Sequence, residues 1–332
     1  MIEVFERAAD LSEDWDSLSG DNPYIRRSFL AFIEANDPCS QRYAAFRDRE
    51  GRIDSLAVAY VREGFDLFMF SPIDLMVRMT FVYVPVSVAR PGLVLGERTK
   101  AEVEAWLASF KGFLLLLNLP PEPGFRGFVR GNACPRCVLG LRWPSFDAYL
   151  ASHRSAYRHR LRKAQKRAEG LAWERLSDNR LFDDRLYSLY LEVFDRSASK
   201  IERLSKEFFQ GPRFVIWVLK SGDEELGFVQ LLENGTELVF EFVGFDHERN
   251  HEFDIYENLL LKIVRHGIEG GFKTIDFGQT ADEAKLRLGA RYERLYAFLR
   301  HSNPVLNFLV HRLARFIEYK PLDEDRFHVF KE

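Results

Sequence analysis

Apolar positions along this chain switch between a helical and a strand period, and the order of switching occurs twice. In the first half, residues 2–5 read as a strand, and residues 11–18 and 29–35 carry the spacing of short amphipathic helices. Strand-like segments follow at residues 42–46, 53–61 and 65–70, with turns at Asp48-Arg49-Glu50-Gly51 and Gly64. A stretch rich in Val, Pro and Met (71–96) leads to a helix over 99–110. A buried strand over 113–119 follows, stopped by Pro120-Pro121-Glu122-Pro123-Gly124.

The second half repeats the order. Residues 171–174 read as a strand, 181–194 as a helix and 213–219 as a strand. Segments 226–232 and 237–245 form a hairpin around Asn234-Gly235. Asp254-x-x-Glu257 has the form of a capping box opening a helix whose stripe is Ile255, Leu259, Ile263 and Ile268, stopped by Gly270-Gly271. A strand over 272–277, a short helix capped by Thr280-x-x-Glu283, a strand over 292–299 and a helix over 305–317 complete the chain. The expected fold is α/β: two tandem units of one design, each a mixed, mostly antiparallel sheet flanked by helices. Residues 1–144 form one and 145–332 the other, joined near Trp143-Pro144.

Length and composition narrow this only slightly. At ~150 residues per domain, 332 residues suit two. Forty-seven basic against fifty acidic residues give a net charge of −3, which excludes nucleic-acid binding by bulk charge, and no DNA partner is expected. Three cysteines imply no disulfide framework. No signal peptide is visible, and no apolar run approaches the ~20 residues that span a bilayer, so a cytoplasmic protein is expected.

Several motifs carry candidate chemistry. Arg154, Arg158 and Arg162 lie four apart on one face of a basic helix, as a phosphate-binding surface or as a solvated face balanced by acids elsewhere. His247-Glu248-x-x-His251 has the spacing of a zinc peptidase, with Glu269 the third ligand to be sought. Its expected place, in a loop between a strand and a helix starting at Asp254, argues against two ligands one helical turn apart. No metal is expected, and a zinc hydrolase remains the alternative from another class. Cys134-Pro135-Arg136-Cys137 is a lone CxxC read as a loop. Glu241 alternates with Val239 and Val243, which puts a carboxylate on an apolar face unless that face is the solvated one. Buried, it would be suited to act as a general base. Lys285 is functional or merely exposed.

The second half also resembles a known family. Tyr157 to Arg167 with Gly170-Leu171, then Glu225-Leu226-Gly227-Phe228, then Gly267 to Ala290 with its Asp276-Phe277-Gly278, Lys285 and Leu288-Gly289-Ala290, are similar to the FemAB-like acyltransferases of the GNAT superfamily. The resemblance covers about residues 145–300. It implies tandem GNAT-like units, the first degenerate, and transfer of an acyl group to a small-molecule or peptide amine. The donor would lie in a V-shaped gap between the strand ending at Phe245 and the strand over 274–277. Phe245, Asp246, Arg249, Asn250, His251, Tyr256, Gln279 and Thr280 would bind it. Glu241 is the candidate base, Tyr292 the candidate acid, and Lys285 a third catalytic candidate, while Arg154, Arg158 and Arg162 would hold substrate. No permanently bound cofactor is implied. Acyl-CoA or acyl-carrier protein is the expected co-substrate, and aminoacyl-tRNA the alternative, with a peptidoglycan precursor or protein as acceptor. A unit that binds without catalysing is a further alternative. The segment Asp246 to Phe253 lacks the Gly-rich loop of acetyl-CoA enzymes and carries three acids, a poor pyrophosphate cradle.

Overall fold

Two mixed sheets take up the strand-forming segments. The computed structural model describes residues 1–36, 39–71, 73–121, 124–197 and 203–331, so Glu122 and Pro123 of the Pro-rich stop lie outside the described residues. The first stretch of chain runs β1 (Ile2–Phe5), α1 (Arg27–Asn36), β2 (Gln41–Arg47), β3 (Ile53–Asp66), β4 (Met76–Val82), β5 (Leu93–Val94), α2 (Lys100–Ser109), β6 (Phe113–Leu119) and β7 (Val129–Asn132). It continues through β8 (Arg136–Gly140), α3 (Phe146–Ser152), α4 (Ser155–Arg167), β9 (Ala172–Arg175), α5 (Asp184–Arg196), α6 (Lys206–Phe209), β10 (Phe214–Ser221), β11 (Glu224–Asn234) and β12 (Glu237–Phe245). Last come α7 (His247–Phe253), α8 (Ile255–Glu269), β13 (Thr274–Asp276), α9 (Asp282–Leu286), β14 (Arg291–Glu293), β15 (Tyr296–His301) and α10 (Pro304–Ile317).

One sheet has the order β1-β2-β3-β4-β6-β15-β7, with β5 on β3; the other has β14-β8-β13-β12-β11-β10-β9. Each is antiparallel except at one place, β4 beside β6 in the first and β12 beside β13 in the second. Leaving aside β5, four strands of each sheet lie on one side of that parallel pairing line and three on the other. The two-unit, mostly antiparallel α/β architecture expected from the pattern is therefore observed. The compact units comprise Met1–Pro135 with Arg294–Pro321, and Arg136–Glu293 with Leu322–Glu332. They differ from a cut at 144/145 because β8 pairs with β13 in the second sheet, and β15 pairs with β6 in the first.

Local departures from the sequence pattern have physical causes. Residues 11–18 form no α-helix; Glu13–Leu18 is a 3-10 helix, preceded by another at Ala8–Asp10. The Asp16 carboxylate there accepts from Arg27 N at 2.8 Å, and Trp15 Nε1 reaches Ile25 O at 2.7 Å. Gly64 makes no turn: β3 runs on through it with a register shift between Arg62 and Phe65, because glycine at φ 66° supports a bulge. The strand expected over 292–299 is split between the sheets as β14 and β15.

In the second unit, α8 lays Ile255, Leu259, Ile263 and Val264 on Leu226, Val229, Leu231 and Leu238 of the sheet. On the other face α5 approaches β12 so closely that a Cβ on Gly244 would sit 2.6 Å from Tyr190 N and 2.7 Å from Leu189 C. Strand β12 is thus held on both faces, which fixes the element that carries the candidate site.

Candidate functional site

Strands β12 and β13 pair in parallel over only three positions, Glu237↔Thr274, Leu238↔Ile275 and Val239↔Asp276. β13 then ends while β12 continues to Phe245, so residues 240–245 have no strand partner on that side among the described residues. At the point of parting, β12 bulges. Gln230 pairs with Phe242 and Leu231 with Phe240, which leaves Glu241 as the extra residue. Simple alternation with Val239 and Val243 is broken there, yet the carboxylate is still buried, at 8% exposure.

The end of β13 is tied down by a guanidinium. Arg136, on neighbouring β8, places Nη1 2.8 Å from the fully buried Asp276 carboxylate and 3.4 Å from Glu237, with Nη2 2.6 Å from Glu293. The other Asp276 oxygen accepts from Gly278 N at 2.8 Å. The chain then turns through three left-handed residues, Gly278, Thr280 and Ala281. Two of them are not glycine, a strain that clusters at functional turns. The capping box expected from Thr280 does not form: Ala281 is the N-cap of α9 and no side chain caps it.

Helix α9 delivers two buried charged groups. Lys285, 2% exposed, donates from Nζ to Gln279 O at 2.7 Å and lies 6.0 Å from the Phe240 ring centroid, so it reaches the residue next to Glu241. Asp282 accepts at Oδ2 from the Tyr292 hydroxyl at 2.8 Å. Tyr292 is paired in register with Cys137 on β8. Burial pushes the Cys137 thiol up to about 12, with Lys285 pulling the other way and Asp282 and Asp276 adding to the rise. Cys137 is a buried strand residue, and neither CxxC cysteine is in a disulfide. The structure thus brings Glu241, Lys285, Gln279, Thr280 and Tyr292 to the end of β13. Asp276 and Asp282 join them, although neither was given a site role from sequence: Asp276 stands in the Asp276-Phe277-Gly278 run of the resemblance, and Asp282 lies inside the Thr280-x-x-Glu283 segment read as a cap.

The remaining donor-site candidates gather at the far end of β12, where the structure corrects the expected loop. Residues 247–253 are helix α7, and α8 begins at Ile255 after Asp254 in a left-handed conformation. Asp254 caps nothing; its carboxylate takes Arg167 Nη1 at 3.0 and 3.1 Å. Asp246 is the N-cap of α7, accepting from Arg249 N at 3.0 Å. Asn250 Oδ1 accepts from Tyr256 N at 2.9 Å and so occupies a first-turn donor of α8. Arg249 is engaged by Glu224 and by Glu252. Phe245 stacks between His247, at 4.2 Å, and Tyr256, at 5.4 Å. The two histidines therefore do sit on one helix. His247 packs on Phe245 with Nδ1 3.8 Å from Glu192, while His251 is exposed. Burial, and then Arg196, hold the His247 pKa below its ordinary value. Among the described residues no group of three or more His, Cys, Asp or Glu could hold a metal ion.

The basic face of α4 is only partly committed to the fold. Arg154 Nε donates to Phe330 O, and Arg158 Nη1 to His153 O at 2.9 Å and Ala151 O at 3.3 Å. Arg160 pairs with Glu257, whose pKa burial raises against the pull of Arg160. Arg162, Lys163 and Lys166 face solvent.

Comparison with known proteins adds a family match and a likeness of fold. Residues 151–286 match the family model described as the acetyltransferase (GNAT) domain. No curated protein matches the chain significantly in sequence. Among solved structures, FemX is similar over 93% of this chain and 100% of its own, at 12% identity and a TM-score of 0.55. A tandem GNAT protein from the clavulanic acid biosynthesis pathway is similar over 92% and 99%, at 13% identity and a TM-score of 0.55. The C-terminal domain of a putative lysylphosphatidylglycerol synthetase from Agrobacterium fabrum is similar over 91% and 94%, at 11% identity and a TM-score of 0.53. At these identities the likeness is one of fold.

Proposed function

We propose, from the acetyltransferase (GNAT) domain that residues 151–286 carry, that this protein transfers an acyl group from a thioester donor to an amine. The observation that supports this best is the parting of β12 from β13 beside a bulge that buries Glu241. A strand edge with unpaired N–H and C=O groups binds an extended chain of amides as an added strand. The arm of an acyl-CoA, or the same arm on a carrier protein, is such a chain. Its thioester would come to lie near Glu241 and Lys285.

In the proposed reaction Glu241 takes a proton from the acceptor ammonium. The amine nitrogen then bonds to the thioester carbonyl carbon, and Lys285 offsets the charge on the resulting oxyanion. The C–S bond breaks, the thiolate leaves with a proton from Tyr292, and the second proton of the attacking nitrogen returns to the tyrosinate as the neutral amide forms. The Tyr292 hydroxyl points at Asp282 in the unliganded protein, so it must turn from that acceptor to serve. At the other end of β12, Asn250 and the acids of α7 leave little to grip a pyrophosphate. Donor binding is therefore expected to depend on the arm and acyl group more than on the nucleotide.

A second reading, aminoacyl-tRNA as donor, rests on the exposed Arg162, Lys163 and Lys166. The thioester is favoured because the net charge is negative and no aromatic residues interleave these cations to stack bases. Titration of the full chain with acyl-CoA and with charged tRNA at two salt concentrations separates the two. Saturable acyl-CoA binding supports the first reading. Tight, salt-sensitive tRNA binding weakened by Arg162→Ala would replace it with the second.

A further inference from the structure

Helix α10 is a member of the first unit whose outward side is more apolar than its inward one. Only a narrow line faces the sheet, through Asn307, Val310, Ala314 and Ile317, and of these Val310 alone is fully buried, against Phe81, Leu115 and Leu299. Leu306, Leu309, Leu313 and Phe316 stand in solvent, as do Val305 at 70% and Phe308 at 59% exposure. At 100° per residue, Val305, Leu306, Leu309, Leu313 and Phe316 fall within one 100° arc. Arg312, Phe308, Arg315 and His311 fill the arc beside it. Arg312 lies over the Phe308 ring and Arg315 over the Phe316 ring. No acidic residue occurs from Pro304 to Ile317. At the C-terminal end of the helix, Tyr319 meets the Phe70 ring at 5.2 Å, and Phe70 begins a second exposed apolar stretch with Ile73, Leu75 and Met76.

We propose that α10 is a membrane-surface helix that docks the protein on an anionic lipid bilayer. An apolar arc bordered on one side by two arginines and no acid, on a helix too short and too charged to span, suits insertion into the headgroup boundary with the arginines at the lipid phosphates. A second copy of the chain fits less well. Packing two such arcs antiparallel sets Arg312 and Arg315 beside the same residues of the partner, with no carboxylate on either helix to offset them. This surface lies outside the acetyltransferase domain match and does not depend on the transfer reaction.

The test is co-sedimentation of the full chain with vesicles of phosphatidylcholine alone and of phosphatidylcholine mixed equally with phosphatidylglycerol. Binding is expected to the anionic vesicles, weakened by salt, and to be lost in Leu309→Glu/Phe316→Glu. Arg312→Ala/Arg315→Ala is expected to weaken it by about fivefold per arginine. Since those arginines have no carboxylate partner among the described residues, the second variant keeps the fold and decides the matter if the first does not fold. Equal binding to both vesicle types, or anionic binding untouched by the arginine substitutions, overturns the proposal. So does a dimer that Leu309→Glu/Phe316→Glu dissociates and that anionic vesicles do not compete away.

Discussion

Replacing Arg136 by methionine removes the guanidinium that meets three carboxylates where β13 ends. The decisive partner is Asp276, fully buried and 2.8 Å from Nη1. Glu293 is half-exposed, so water compensates it more readily, and Glu237, 15% exposed, lies farther from the guanidinium at 3.4 Å. Breaking a buried ion pair from one side costs about 3–5 kcal/mol. The lower end applies here, because Gly278 N still donates to Asp276. About 3 kcal/mol corresponds to roughly 6–12 °C in the melting temperature of a unit this size. Arg136→Met/Asp276→Asn removes the buried charge as well, and is expected to melt above Arg136→Met. Thermal melts of the three proteins at pH 7, followed by near-UV circular dichroism, measure both differences. A double variant less stable than Arg136→Met, or a loss under 1 kcal/mol in the single variant, would refute the reasoning.

Gly244→Ala is expected to lose about 1–3 kcal/mol by overpacking α5 against β12, whereas Gly140→Ala, whose Cβ meets nothing within 4 Å, stays within about 0.5 kcal/mol in the same urea titration. His153 is fully buried, and burial holds its pKa below the unfolded value. Stability should therefore fall as pH drops below about 6.5, and His153→Phe should flatten that slope between pH 7 and 5. Native protein should react quickly with a thiol reagent at Cys39 and Cys134 but not at Cys137, whose thiol is buried; peptide mapping of the labelled protein checks this.

Much of the fold was legible because the hairpin of β11 and β12 and the helix α8 carry strong local signals, a two-residue glycine turn and an apolar stripe. The exchange of β8 and β15 between sheets was not, since pairing partners distant in sequence leave no trace in local periodicity. Alternation left Glu241 either buried or on a solvated face, and its burial depends on a bulge that alternation does not reveal. The helix at residues 247–253 was missed because six of its seven residues are polar, which gives no stripe to detect. Asp282 and Asp276 meet Tyr292 and Arg136, residues distant in sequence that the sheet brings to them.

The most direct test of acyl transfer is turnover. The full chain is incubated with acetyl-CoA and longer acyl-CoAs and a mixture of primary amines and amino-sugar or peptide acceptors, with products followed by mass spectrometry. An N-acylated product and free CoA are expected in equal amounts, with the rate falling by about 100-fold or more in Glu241→Gln while the fold and donor binding remain. No consumption of any thioester, together with transfer from charged tRNA or hydrolysis that requires added zinc, would contradict the proposed transfer.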